Sequence, residues 1–431
     1  MSGRPSILKD VTANFERFRR LGPTAFDVAV AVCGAGLLLR QFVHASSTPG
    51  IDFVHVWHAA SQLLSTGGAY RDPLFTYPPG AALILAPLGF LDYSSARLIM
   101  LFANGIAVIW ATWLMLKLLQ GHPTRRAVAV ALLALGVADA VAATWANDNL
   151  NGLLLLAEVS ALSCMSRGRW SRAGVLLGIS LAIKPVLVAL LVMLALRRKW
   201  RALLVSAALP AVITGIGWLL VRDSSRYVHV VVPFLVHGAQ LNYNDSFVGV
   251  GHLLSLPATV VGALRLCVLV AVVWWYVMRR RREHVDTTIT ALSYETGVLL
   301  TATFLAAPMS EAYYTIYLLP AIAAWATRSA RSVLAATITV AAFFASFELR
   351  GGVASHVPVS APLAIRPTFG WVGCLAVFAV IANRLARPST GEPPYTPSTT
   401  HAMTPNGTIW PCGFRRRETC RRRCRSTATQ N

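Results

Sequence analysis

Charged side chains are scarce in this chain. Only 13% of its 431 residues are Asp, Glu, Lys or Arg, against 55% hydrophobic. The mean hydropathy of +0.56 is too high for a soluble domain. Acids are scarcer still, 18 against 39 Lys and Arg, which leaves a net charge of +21. Cysteines number seven and are scattered. Cys33, Cys164, Cys267 and Cys374 fall in apolar runs and read as small hydrophobes. Cys412, Cys420 and Cys424 sit in a basic tail expected in a reducing compartment, so no disulfide is expected. The N-terminal region also lacks an A-x-A-like cleavage site, and its first apolar run, Phe26–Val43, is too long for a typical signal-peptide core.

What the chain has instead is a series of apolar runs between Phe26 and Leu385, many of the roughly 18–25 residues that span a bilayer. They fall near 26–43, 95–119, 126–145, 150–166, 173–183, 185–197, 202–221, 258–278, 288–307, 312–327, 331–347 and 367–386. The expected fold class is all-α, a polytopic integral membrane helix bundle over 25–387. It lies between a cytoplasmic segment, 1–24, and a disordered basic tail, 388–431. The surplus of cations does not point to nucleic acid. The cations cluster between apolar spans: Arg125 and Arg126, Arg167 to Arg172, Arg197 to Arg201, Arg279 to Arg282, Arg328 and Arg331. That pattern marks the cytoplasmic face of a plasma-membrane protein.

Placing every cluster on one face fixes the rest by parity. Ala81–Leu91 must be re-entrant or interfacial, since about 11 residues do not span a bilayer. Both termini are cytoplasmic. The outer face receives the loop 45–79, Asn147-Asp148-Asn149, Lys184, the loop 222–257 and Pro308–Tyr314. The polar residues without an anchoring role therefore gather on one side.

Asp52 is the lone acid of the amphipathic segment that follows the first apolar run. Phe53, Val56, Trp57, Ala60, Leu63 and Leu64 form one apolar face of a helix over 53–66. The spacing predicts an amphipathic helix in the outer interface, its aromatics toward acyl chains. Asp52 at its start either caps the helix, which spacing alone favours, or serves as a general base. His55 and His58 lie on the polar face. No D-x-D or other acidic pair accompanies them, so neither a metal nor another cofactor is expected. Lys184-Pro185 places a cation at a proline-initiated helix start over 185–197. That arrangement suits a phosphate, and equally a lysine snorkelling to the interface. Asn147, Asp148 and Asn149 can cap the helix that follows. Gln240, Asn242, Tyr243, Asn244 and Asp245 form a hydrogen-bonding run suited to sugar hydroxyls or to plain solvation. Glu311, Tyr313 and Tyr314 open a span at the same face. Glu158 lies within a span and is a candidate by position.

The chain resembles the GT-C superfamily of membrane glycosyltransferases, family 87. The resemblance runs from about 45 to 330. It is carried in order by Asp52-Phe53, Tyr77-Pro78-Pro79-Gly80, Ala86-Pro87-Leu88-Gly89-Phe90-Leu91, Leu181-Ala182-Ile183-Lys184-Pro185, Trp200-Arg201-Ala202-Leu203, Asn244-Asp245-Ser246 and Tyr313-Tyr314. It implies a GT-C fold, a polyprenyl-phosphate sugar donor, a glycan or glycolipid acceptor, and inversion at the anomeric carbon. It turns the reading of Asp52 from cap to catalytic base. Where a family member carries two consecutive acids, this chain has Ile51-Asp52, leaving one carboxylate. The resemblance further implies Lys184 at the donor phosphate. Candidate substrate contacts are His55, His58, Tyr77, Asn242, Tyr243, Asn244, Asp245, Glu311, Tyr313 and Tyr314. Arabinofuranose from decaprenyl phosphate, added to a cell-wall arabinan, is the implied transfer. Mannose for lipomannan or phosphatidylinositol mannosides is the alternative. A transporter or flippase is the rival of another class, opposed by the absence of visible paired intramembrane charges and repeat halves.

Overall fold

The computed structural model describes residues 23–237, 244–280, 287–327 and 365–385. The expected span 331–347, the tail 388–431, all but the end of segment 1–24, and the candidates Asn242 and Tyr243 lie outside them. Among the described residues the secondary structure is entirely helical. The order is α1 (Pro23–Ser47), α2 (Ile51–Thr66), α3 (Pro79–Leu85) with a 3₁₀ turn Ala86–Phe90, α4 (Tyr93–Gln120), α5 (Arg125–Val137), α6 (Asp139–Ala146), α7 (Asn151–Ser166) and α8 (Trp170–Ile183). After a 3₁₀ turn, Pro185–Leu187, come α9 (Leu190–Leu196), α10 (Trp200–Leu220), α11 (Val232–His237), α12 (Phe247–Leu253), α13 (Ala258–Arg280) and α14 (Ile289–Ala306). A 3₁₀ segment, Ala312–Leu318, leads into α15 (Leu319–Ala326), and α16 is Arg366–Leu385.

Helix ends follow local chemistry. Asp92 caps α4 by accepting from the Ser95 amide at 3.0 Å, and Gly121, at φ 72°, closes it. Thr124, Ser246 and Thr288 cap α5, α12 and α14 through their side-chain oxygens. Each such contact satisfies an amide that the helix itself leaves unpaired.

Among the described residues six helices are long and apolar enough to cross a membrane: α1, α4, α10, α13, α14 and α16. The chain is a polytopic all-α membrane bundle. Several expected spans are shorter than a bilayer requires, among them α7, α8, Pro185–Leu196 and Ala312–Ala326. The single span expected over 126–145 is instead two helices, α5 and α6, bent by 58° at Ala138. Gln41 accounts for the break. Its Nε2 donates to the Gly136 carbonyl at 2.7 Å, the acceptor a continuous helix would offer to residue 140. The piece around Ala81–Leu91 is short, α3 plus its 3₁₀ turn, as its length requires.

The apolar face of α2 is covered by protein over its first turns, while Leu64 at its end is exposed. Phe53, Val56, Ala59 and Ala60 are buried. Phe53 and Trp57 lie against Tyr93, with ring centroids 5.9 and 5.5 Å apart, and the Trp57 indole donates to the Leu91 carbonyl. Periodicity identified the face, but it could not say whether lipid or the 3₁₀ turn after α3 would cover it.

Hydrogen bonds sort the connecting segments into two groups. Asp223 accepts from the amides of Ala69 and Tyr70 at 2.8 and 2.9 Å, joining the loop after α10 to the loop after α2. Asn244 and Asp245 bond to the backbone of Pro308 and Ser310. The other group is ionic. Glu295, near the start of α14, pairs with both Arg197 and Arg279. Two of the arginine clusters thus meet on one buried acid. The pairing of Arg197 with Glu295 was not visible in the sequence, because the two lie 98 residues apart.

Candidate functional site

Asp52 is held by its neighbours rather than used to hold the helix. The N-cap of α2 is Gly50, at φ 63°, and no side chain caps it. The amides of Asp52 and Phe53 instead donate to the Asn147 carbonyl, at 3.1 and 3.2 Å. A side chain at Gly50 would meet Arg97 Nε at 2.7 Å, so the position suits glycine in both conformation and space. The Asp52 carboxylate is freed for other work. Its Oδ2 accepts from Asn149 Nδ2 at 3.3 Å and from the Tyr313 hydroxyl at 3.4 Å.

Asn149 belongs to the short loop between α6 and α7. Asp148, with φ 51°, turns that loop. Asn149 Oδ1 accepts from the Asn151 amide at 3.1 Å, so the triplet does help start α7, and it also grips Asp52. Asn151 extends the connection: its Oδ1 accepts from Lys184 Nζ at 3.3 Å and from the Tyr317 hydroxyl at 2.9 Å. Lys184 also lies over the rings of Tyr314 and Tyr313, 4.8 and 5.6 Å from their centroids, a geometry favourable to a cation.

The helix expected over 185–197 is interrupted. A 3₁₀ turn, Pro185–Leu187, precedes α9, which is seven residues long. Pro185 removes one amide and forces Lys184 to an extended conformation, φ −147°. The cation of Lys184, not a helix dipole, is the positive element here.

Glu311 is the acid that sequence reading underweighted. It sits at the start of the 3₁₀ segment Ala312–Leu318. Burial raises its carboxyl to about 8, with the Asp52 charge adding to the rise and Lys184 opposing it. Asp52 is raised too, by burial first, against the pull of Lys184, Asn149 and Tyr313. Asp148 reaches about 7 for the same leading reason, with Arg97 opposing. Burial also raises Tyr77, to about 12, in a field shared by Lys184, Asp52, Tyr314 and Glu311. Lys184 and two acids, Asp52 and Glu311, drawn from widely separated stretches, therefore act on each other electrostatically, and Asp148 feels the Asp52 charge beside Arg97. A cluster of this kind is characteristic of a functional site.

The remaining candidates divide. His55 and His58 turn to Asp72, with Nδ1 to Oδ2 distances of 2.7 and 3.5 Å. Asn244 is buried and committed to backbone. Its Nδ2 donates to the Pro308 carbonyl at 2.9 Å, and its Oδ1 accepts from the amides of Ser246 and Ser310. The Asp245 amide donates to the Ser310 carbonyl at 2.7 Å. Together these bonds fix the segment that presents Glu311. Glu158 is buried in α7, and neither of its oxygens has a hydrogen-bond partner among the described residues.

Residues 75–308 match the model of Glycosyltransferase family 87. Asp52 and Glu311 lie outside that matched stretch, while Tyr77, Asn149, Lys184 and Asn244 lie within it. An alpha-(1->3)-arabinofuranosyltransferase of Mycobacterium tuberculosis (strain CDC 1551 / Oshkosh) is 30% identical over 257 residues, covering 58% of each chain. One from Mycolicibacterium smegmatis is 32% identical over 254 residues, again 58% of each. A polyprenol-phosphate-mannose-dependent alpha-(1-2)-phosphatidylinositol pentamannoside mannosyltransferase of M. smegmatis is 30% identical over 227 residues, 49% of this chain and 52% of that one. The chain thus spans 58% of the length of the arabinofuranosyltransferases named here. No solved structure matches. The family model covers more than half of the 431 residues, and the chain belongs to glycosyltransferase family 87.

Proposed function

We propose that this protein is a membrane glycosyltransferase that moves one sugar from a polyprenyl phosphate to a glycan or glycolipid acceptor, with Asp52 as general base. The observation that carries the reading is the Asp52 carboxylate, freed from capping and held by Asn149 and Tyr313 in the same cluster as Lys184. Asp52 takes the proton of the acceptor hydroxyl. The acceptor oxygen forms a bond to the anomeric carbon. The bond from that carbon to the phosphate oxygen breaks, and the polyprenyl phosphate leaves with the electron pair. Attack opposite the leaving group inverts the centre. Lys184 meets the growing phosphate charge. The site lies on the extracytoplasmic face, opposite the arginine clusters, in the positive-inside reading.

Arabinofuranose from decaprenyl phosphate is the sugar we favour, with an arabinan as acceptor. The arabinofuranosyltransferase relatives match over 58% of this chain at 30–32% identity. Mannose is the second reading, since mannosyltransferases named as polyprenol-phosphate-mannose-dependent also match, one at 27% identity over 66% of the chain. Membrane vesicles carrying the protein, supplied with radiolabelled polyprenyl-phosphate arabinose or mannose, separate the two. Label should pass to acceptor from the arabinose donor, and Asp52→Asn should lower the rate by roughly 10²–10⁴. Lys184→Ala should raise the donor KM or lower kcat, with Lys184→Arg retaining part of the activity. Transfer from neither donor, or normal turnover in Asp52→Asn, removes the reading.

A further inference from the structure

A polar side chain inside a membrane-spanning helix needs a reason, because a bilayer offers it no partner. Asn104 lies in the middle of α4 and is fully buried. Both ends of its amide are occupied, by the α6–α7 loop and by the first turn of α7. Nδ2 donates to the Asn149 carbonyl at 2.6 Å, and Oδ1 accepts from the Gly152 amide at 3.1 Å. The fit leaves no slack. A side chain at Gly152 would come within 2.8 Å of both Asn104 O and Asn104 Oδ1.

Between those two anchored backbone groups stand the residues that grip the reactive side chains. Asn149 Nδ2 reaches Asp52, and Asn151 Oδ1 receives Lys184 Nζ and the Tyr317 hydroxyl. Asn149 and Asn151 are also tied to each other by the 3.1 Å bond from the Asn151 amide to Asn149 Oδ1. A continuous set of hydrogen bonds therefore runs from the carboxylate to the ammonium through one three-residue stretch, 149–151. Asn104 is its anchor in the membrane-spanning part of the fold.

We infer that Asn104 is a positioning residue: by clamping Asn149 and Gly152 it fixes the separation of the base Asp52 from the cation Lys184. The inference rests on the roles given to Asp52 and Lys184 above. Geometry of this kind matters because displacement of a reacting group by about 1 Å costs on the order of 10²-fold in rate. The competing explanation is that Asn104 merely glues α4 to α7, as polar residues between membrane helices do.

The two explanations differ in what a variant does beyond lowering the yield of folded protein. Asn104→Leu keeps the branched shape, in a slightly larger side chain, and removes both bonds. Asn104→Ser is milder, and its hydroxyl is too short to reach both partners. With the clamp gone, Asn149 no longer holds Asp52 in its charged form. The acid limb of the pH–rate profile, measured on purified full-length protein, should then move up by about half a unit to one unit. kcat should fall by about 10-fold or more in Asn104→Leu and less in Asn104→Ser. Binding of polyprenyl phosphate alone should weaken about 3–10-fold, and that weakening should vanish in a Lys184→Ala background. Either variant, if folded, with reduced yield but an unshifted acid limb and normal polyprenyl-phosphate binding overturns the positioning role in favour of simple glue. Normal turnover in Asp52→Asn and Lys184→Ala is a different failure, that of the catalytic reading itself.

Discussion

The Tyr313 hydroxyl donates to Asp52 Oδ2 at 3.4 Å, across 261 residues of chain. That contact brings Glu311, two residues before Tyr313, to the same place. Two acids far apart in the chain thus share one cation, Lys184, which opposes the rise in both. Neighbouring carboxylates that are both buried do not both ionise readily.

Turnover should therefore fall on the alkaline side as Glu311 ionises, at about 8. Ionisation there adds a second negative charge beside Asp52 and the leaving phosphate. Glu311→Gln fixes the neutral form and should remove the alkaline limb while keeping most of the activity at neutral pH. A pH–rate profile from about 6 to about 9.5 for both proteins measures this. An identical alkaline limb in Glu311→Gln assigns it to another group.

Much of the candidate site could be read from residue types and their places between apolar runs, because a membrane protein segregates polar groups by face. Asp52, Lys184 and the Tyr313-Tyr314 pair are such residues, and the structure brings them together. Partners could not be read. That Asp72 takes both histidines, or that Asn149 grips Asp52, depends on how loops fold over one another, which leaves no periodic trace. Asn104 was hidden for the same reason: inside a 28-residue apolar helix, one asparagine has no local signal. The apolar runs at α7 and α8 were legible too, as helices shorter than the six long enough to cross a membrane.

Asp148→Asn should stabilise the protein, and more so at higher pH. Burial raises the group from 3.8 to about 7, against the pull of Arg97 and Asn104. A raised group contributes its stability in full below about 3.8 and loses it as pH climbs through about 7. Asparagine has no such loss and tolerates the left-handed backbone at φ 51°. Thermal unfolding in detergent should show a larger gain for Asp148→Asn at about pH 8 than at about pH 5. A gain that is flat or shrinks with pH contradicts the burial cost.

Glu295→Ala should be among the most damaging changes far from Asp52. It leaves Arg197 and Arg279 buried without their shared acid. Removing one partner of a buried ion set costs about 3–5 kcal/mol. Glu295→Gln keeps acceptor capacity and should cost less. Both should depress Tm while leaving donor KM unchanged in whatever folds. A selective rise in donor KM would place Glu295 in contact with the reaction after all.

The last prediction concerns the Tyr77-Pro78-Pro79-Gly80 motif, whose packing explains its glycine. Gly80 of α3 lies against α10: an added side chain there would come within 2.7 Å of Ile213 backbone. Reciprocally, one at Gly217 would meet the Gly80 amide nitrogen at 2.4 Å. These are backbone contacts, so no rotamer can relieve them, and Gly217→Ala must push α3 away from α10. The same shift displaces Tyr77, which lies in the field of Lys184, Asp52, Tyr314 and Glu311. Overpacking of this kind costs about 1–3 kcal/mol. Gly217→Ala should therefore lower both Tm and kcat. Gly215, two residues earlier on the same helix, has open space where its side chain would go. Gly215→Ala should be neutral in kcat and gain about 0.4–1 kcal/mol in stability, because alanine restricts the unfolded chain. Unfolding and turnover measured on the pair test the packing directly. Equal behaviour of the two variants would mean that the close approach of α3 to α10 does not position Tyr77.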